Sequence, residues 1–502
     1  MKKTFFLLLI ILLPGISRGQ VYVEDDFERY YREQKAAFNN YAQNEDKKFK
    51  AYYDSINQDF AKYLAEAWPD FSLKKKEPPI VKPVPPTVYK PDTPQPKPII
   101  QPVKEVPKPK TPDIPSKDED SDKSVKKDLS PKVPISNATN SMNMIFYGTP
   151  VAISKVNYNL PRLTGIDEQS VAKYWNALTK LPYTDWTEEI KQKSTALNLN
   201  DWGMYILINQ TFKTKFPGRN SNEQTAFVIF LLNQLGYKAK IGRSQQELIP
   251  LIAFKCNVFN SSFFKFGNAN GTIYTVLNPK HTDLSSIRSC GMEFKSATRL
   301  MDMSLSGFPS LQANATLQPL KAKDQSYNIW YDKNYMQMLS TYPCVDFKLY
   351  AESVPSKTFL KSVEEELRPL VKNKSQEESV NALLHFVQYA FKYKTDDEQF
   401  GYERWFFPEE TIASSYSDCE DRAILFSQLV RHLLGMEVVL VYYTGKHLAT
   451  AVRFDNPNTS GDYLNIDGKK FLICDPTYIG APLGKEMPNL KNSPKEIIHL
   501  KK

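Results

Sequence analysis

Three residues far apart in this 502-residue chain have the types and surroundings that nucleophilic chemistry needs. Cys419 lies in Ser417-Asp418-Cys419-Glu420-Asp421-Arg422, directly before a run from Ala423 to Gly435 whose apolar residues recur at helical spacing. Ser417 and Asp418 are N-cap types, so the pattern predicts Cys419 in the first turn of a helix. There the unpaired backbone N–H groups and the positive end of the helix dipole favour the thiolate, the form that attacks a carbonyl carbon. His447 follows inside the apolar run Lys446–Phe454, and Asp475 inside Phe471–Thr477. Thiol, imidazole and carboxylate in that order make a nucleophile, a base and a group that orients the base. Their task would be to split amide attack into acylation and deacylation, each with a lower barrier. The Cys419 backbone N–H is a natural oxyanion donor, and Gln399 and Trp405 are candidates for the second donor. Such chemistry requires all three groups to meet in one solvent-reachable groove.

Several of these motifs occur together and in order. From about Ser375 to Pro488 the chain resembles the transglutaminase-like superfamily, a branch of the papain-like cysteine fold. The likeness is carried by the run Asp418-Cys419-Glu420-Asp421, the helix ending at Gly435, the strand with His447 and the Asp475-Pro476 pair. The resemblance implies an α+β domain in which the helix bearing the Cys packs on an antiparallel sheet. It also implies a Cys419–His447–Asp475 triad working through a thioacyl intermediate, without a cofactor. In that pattern the approach from Phe391 through Trp405 to Thr411 forms one wall of the cleft. Water as acceptor would make a cysteine peptidase or amidase, and an amine would make an acyltransferase. The expected substrates are peptide or isopeptide amides, in proteins or in cell-wall peptides.

The neighbouring polar residues carry plainer expectations. Glu420, Asp421 and Arg422 are expected to form helix-end salt links. Strand alternation turns Cys474 to the face opposite Asp475, into the core. His385 reads as a structural residue of a helix opened by the Ser375–Glu378 capping box. Cys344 reads as a buried or paired core thiol. Five cysteines are too few for a disulfide framework. No CxxC and no cluster of His, Cys and Asp in the sequence suggests a metal site.

Upstream, Asn220-Ser221-Asn222-Glu223 and the apolar run to Gly236 repeat the cap, face and terminal Gly of the Cys419 helix. With Ala226 placed on Ala423, Asn222 falls on Cys419 and Glu223 on Glu420. The following runs put Glu247 opposite His447 and Asn278 opposite Asp475. This reads as a degenerate second copy that cannot supply a thiol and would serve support or substrate recognition. Met144–Tyr147 predicts a strand, Asp167–Leu181 a helix, and Asp201 opens another. The resulting organisation is a signal peptide at 1–19, a long helix at 20–76, a Pro/Lys-rich linker at 77–137, the degenerate domain at 138–325, connecting strands at 326–365 and the catalytic domain at 366–502.

Lys2 and Lys3 followed by apolar Phe5–Leu13 and small residues to Gly19 predict a cleaved secretory signal and a periplasmic or secreted protein. No later run is long and apolar enough to cross a bilayer. Phe27, Phe38, Phe49, Phe60 and Phe71 recur every eleven residues, as do Tyr30, Tyr41, Tyr52 and Tyr63. That period matches a nearly straight helix with an aromatic stripe. Between about 24 and 71 the stripe needs a helix partner or this protein's own globular part. Closely spaced prolines from Pro78 to Pro98 predict an extended spacer without a core. The net charge of +9 is modest for this length, and no nucleic-acid motif accompanies it. A different class, a non-catalytic envelope binding or scaffold protein built on the same fold, is favoured by the degenerate copy, the aromatic helix and the spacer.

Overall fold

A computed structural model describes residues 20–78, 87–90, 141–155, 159–268, 270–277 and 284–501, without the side chains of 20–28, 42–47, 49 and 50. The expected signal segment at 1–19, most of the Pro-rich stretch and Asn278 lie outside the described residues. The architecture is mixed α+β with antiparallel sheets.

The chain divides after Phe60. The first unit is a helix that begins at Gln20, on which Tyr30, Phe38, Tyr41 and Tyr52 stand exposed. The helix ends at Ala65, not near residue 76 as the eleven-residue period predicts. Pro69 explains the stop, because it has no N–H to donate and disfavours helical backbone at Trp68. Beyond it, Asp70–Ser72 and Lys74–Lys76 are short edge strands. Phe71 therefore leaves the helical stripe and stacks on Phe264 at 4.5 Å between ring centroids.

Those two strands bound a seven-stranded sheet. Its order is Asp70–Ser72, Ser286–Ser289, Ala239–Arg243, Leu248–Ile252, Thr272–Val276, Ser261–Phe266 and Lys74–Lys76. Between these edge strands and the other five strands the chain forms a separate hairpin, Ser141–Phe146 paired with Thr149–Ser154. Tyr147 and Gly148 both take positive φ at its tip, as a two-residue turn requires. Four helices follow: Glu168–Thr179 capped by Asp167, Tyr183–Ala196, Asp201–Lys215, and Ser221–Gln234 with an Asn220–Glu223 capping box. The second of them was not expected. It lacks a side-chain cap and is mostly polar, and it is held by Trp186 and Ile190.

The segment 326–365 is not a set of connecting strands. One hairpin, Ala315–Ala322 with Gln325–Asp332, leads into helices Lys333–Leu339, Phe347–Ala351 and Lys357–Val371. Leu320, Ile329, Phe359, Val363 and Leu367 share one core with Leu383, Leu425, Phe426 and Cys474. Tyr327, Ile329 and Tyr331 do alternate inward as the strand pattern requires. The strand simply ends at an Asp332 that caps the next helix.

Helix Gln376–Ala390, opened by the Ser375 capping box, packs on helix Cys419–Leu434. The latter covers a five-stranded sheet ordered Tyr463–Ile466, Lys469–Cys474, His447–Arg453, Val438–Tyr443 and Lys495–His499. Gly435 ends the helix at φ +64°, a conformation that other residues adopt at a cost.

Part of the Pro-rich stretch is placed. Thr87–Lys90 runs beside Ile479, with Tyr89 N donating to the Ile479 carbonyl and Ile479 N donating to the Thr87 carbonyl, both at 2.9 Å. The Tyr89 ring meets Tyr478 edge-on at 5.6 Å. At Thr87–Lys90 the stretch is docked through an isolated bridge at Val88.

Candidate functional site

Helix Cys419–Leu434 and strand His447–Arg453 present their N-terminal ends to the same region. The Leu448 backbone N–H reaches the Cys419 sulfur, so the thiol lies at the start of the strand that carries His447. His447 Nε2 is 2.9 Å from Asp475 Oδ2, across the pairing of that strand with Lys469–Cys474. A carboxylate only accepts hydrogen bonds, so in the neutral ring this contact requires the Nε2–H tautomer, with Nδ1 as the acceptor nitrogen. His447 Nδ1 is buried and has no hydrogen-bond partner. Asp475 Oδ1 accepts from Thr477 N at 2.8 Å and Tyr478 N at 3.3 Å, which fixes the carboxylate plane.

The three predicted residues are thus neighbours, but they do not form a hydrogen-bonded chain or an open groove. Cys419 is 1 % exposed, His447 0 % and Asp475 3 %. The thiol donates to Glu420 Oε2 at 2.9 Å and not to His447. Burial pushes the thiol well above its ordinary range, and ionisation of Glu420 or Asp418 beside it pushes the same way. The helix N-terminus was expected to favour thiolate; desolvation and two adjacent carboxyls outweigh it here. Asp418 is the N-cap residue by backbone but makes no side-chain cap bond.

Glu420, Asp421 and Arg422 do not form the salt links the sequence suggests. Asp421 Oδ1 accepts from Phe406 N at 2.8 Å. Arg422 donates to Ser417 Oγ at 3.0 Å and to the Phe391 carbonyl at 2.9 Å. Asp421 and Glu420 instead join an acidic cluster that the sequence hides, because Asp396 and Glu403 come from the approach segment. Asp396, Glu403 and Glu420 place carboxylate oxygens within 4.8 Å of one another, and so do Asp396, Asp418 and Asp421. Either trio could hold a hard cation through oxygen ligands. Without one, the carboxyls retain protons: burial, with Asp418 and Asp421 adding to it, pushes Asp396 up to about 10, and burial lifts Asp421 to about 7.

The two oxyanion candidates fall elsewhere. Gln399 Nε2 donates to the Lys394 carbonyl at 3.0 Å within its own loop. Trp405 is 1 % exposed and packs on Phe347 at 3.9 Å, with Nε1 buried and unpartnered. It also lines a cavity of about 630 Å³ whose walls include Tyr342, Cys344 and Glu403. Burial, with Asp396, Glu403 and Glu420 adding to it, raises the Cys344 thiol well above its ordinary range. All five cysteines are free. Cys474 faces the core, and His385 sits unpartnered at Nε2 with its pKa lowered by burial and Lys323.

Gln388 escaped sequence reasoning. Its Nε2 donates to the carbonyls of Asp475, Tyr478 and Ala481, and its Oε1 accepts from Gly480 N at 3.0 Å. One buried amide thereby holds the turn that carries Asp475. A buried Gln on an otherwise apolar helix face is the signal that could have exposed it.

No family model and no curated protein matches this chain.

Proposed function

We propose that the C-terminal half is a cysteine enzyme of the transglutaminase-like type, acting on peptide or isopeptide amides. The observation that carries this reading is the His447 ring. Nε2 is tied to Asp475 at 2.9 Å, Nδ1 is buried without a hydrogen-bond partner, and the next residue, Leu448, donates its backbone N–H to the Cys419 sulfur. In the reaction His447 Nδ1 takes the Cys419 proton, and the sulfur adds to the amide carbonyl carbon. The imidazolium then protonates the departing amine as the C–N bond breaks, leaving a thioester. Water or a second amine attacks the thioester, gives a proton to His447, and sulfur leaves as thiolate. For this the thiol must leave Glu420, and the wall made by Asp396–Phe407 must shift to admit substrate. Lys2, Lys3 and the apolar Phe5–Leu13 support a periplasmic or secreted location for this activity.

The upstream half is best read as a duplicate of the same unit. Leu251 pairs with Val276 and Ile252 with Thr275, as Ala451 pairs with Ile473 and Val452 with Leu472. Asn222 Oδ1 accepts from Leu248 N at 2.8 Å, in the position where Leu448 N reaches Cys419. Glu247, opposite His447, is no imidazole, and Asn278, opposite Asp475, lies outside the described residues.

A second reading, a non-catalytic binding or scaffold protein, is favoured by one specific fact: the thiol is buried and bonded to a carboxyl. Iodoacetamide labelling of native protein at neutral pH separates the two. The enzyme reading expects Cys419 to label faster than free glutathione and to lose that excess in His447→Ala. Labelling no faster than glutathione, or indifferent to His447→Ala, supports the scaffold. Turnover of a peptide library with and without added amine, abolished in Cys419→Ala, then distinguishes hydrolysis from transfer.

A further inference from the structure

Five aromatic side chains of the first helix lie in water. Tyr30, Tyr31, Phe38, Tyr41 and Tyr52 are each more than half exposed. At 3.6 residues per turn, all five fall within a sector about 100° wide. The eleven-residue period keeps them there, because eleven residues are almost three whole turns. Farther along this stripe Ile56 and Phe60 are buried. The stripe is therefore a packing face whose first part, up to Tyr52, stands open. Enclosing a Phe or Tyr buries about 150–250 Å², so covering these five rings removes about 600 Å² per helix. Two such helices together would bury about 1,200 Å², the lower end of the range for specific, stable interfaces.

The charges select the partner and its direction. Glu24, Asp25, Asp26 and Glu28 form an acidic block, and Lys47, Lys48 and Lys50 a basic one. Arg29, Glu45 and Asp46 border these blocks and dilute both without reversing either. Two copies laid parallel would set acid on acid and lysine on lysine, which repels. Turned antiparallel about Phe38, position 27 of one copy meets position 49 of the other, and both are Phe. The same turn lays the acidic block of each copy on the basic block of the other. Aromatic register and charge register thus share one centre, to within about one residue. A foreign partner would require no such symmetry within a single helix.

We infer that the first helix pairs antiparallel with the same helix of a second copy of this chain, along the aromatic stripe and with the two-fold axis at Phe38. Asp26 then faces the second copy's Lys48 on one flank, and Glu28 faces its Lys50 on the other. The pairing needs no thiol and holds whether or not the C-terminal half is an enzyme.

The test is sedimentation equilibrium of the full chain. A dimer with a Kd of about 10 µM or tighter is expected. Phe38→Glu changes an exposed residue, puts two carboxylates on the axis and should leave a monomer. Glu28→Lys should raise Kd on the order of tenfold, and adding Lys50→Glu to the same chain should restore it. Direction is read by disulfide formation: Asp26→Cys chains mixed with Lys48→Cys chains should cross-link, and Asp26→Cys chains alone should not. A monomer at about 100 µM would overturn the pairing. So would a dimer indifferent to Phe38→Glu, a charge swap that fails to restore Kd, or Asp26→Cys chains that cross-link to each other. A monomer that instead floats with phosphatidylglycerol vesicles, and loses them in Phe38→Glu, would assign the stripe to a lipid surface and sink the inference.

Discussion

At the residue scale, Glu420 adds to burial in holding the proton on the Cys419 thiol. It follows Cys419 directly, is buried, and accepts the S–H at 2.9 Å. Burial and the neighbouring Asp396 and Asp421 hold the Glu420 carboxyl itself well above its ordinary range. Replacing it by Gln keeps an acceptor for the S–H but removes a group whose ionisation opposes that of the sulfur, and so lowers the thiol pKa. Alkylation of Cys419 between pH 7 and 9 should then speed up by about tenfold for each pH unit by which the midpoint falls. An unchanged rate profile in Glu420→Gln would mean that burial alone holds the proton. Glu409 makes a parallel statement about stability. It is buried and accepts from Asp332 N at 3.1 Å and from Ser356 N. Burial pushes its carboxyl up to about 7 from an ordinary 4.5. A carboxyl raised on folding favours the native state below its unfolded pKa and costs stability as pH rises towards its folded one. Wild type should therefore lose stability from Glu409 between about pH 4.5 and 7, of order 3 kcal/mol in all. Urea titrations of Glu409→Gln should show a flatter pH dependence across that window.

Elements are fixed by their ends. Gly435 closes the Cys419 helix at φ +64° with nothing within 4 Å of where a Cβ would sit. Gly435→Ala should thus cost only the left-handed backbone strain, about 1 kcal/mol, visible as a lower urea midpoint with unchanged slope. Ser375→Ala should cost a similar amount, about 1 kcal/mol, by leaving the Glu378 N–H without its cap. Both ends were legible, since caps and terminal glycines act over a few residues. Pro69 was equally visible as a helix stop, but the eleven-residue recurrence of Phe drew Phe71 into the wrong element. A period records which residues share a face only while the backbone stays helical.

Across the whole molecule, the segment 326–365 shares its core with the C-terminal half. Phe359 is fully buried there, and Phe359→Ala should cost about 3–5 kcal/mol. A mere connector would give less than about 1 kcal/mol, as surface changes do. Equilibrium unfolding of the intact chain distinguishes the two.

The sequence by itself settled what depends on local order: the helix that ends at Gly435, the strand with His447, the strand that leads into Asp475, and the capped helix Ser221–Gln234 upstream. Amphipathic period and capping chemistry are properties of neighbouring residues, so they survive being read one segment at a time. Tertiary structure alone decided how deeply Cys419 is enclosed, which carboxyls surround it, that Gln388 holds the Asp475 turn, and that the upstream half borders an open cavity. Each of these depends on solvent exclusion and on charges brought together from distant segments, and neither quantity is carried by the order of residues.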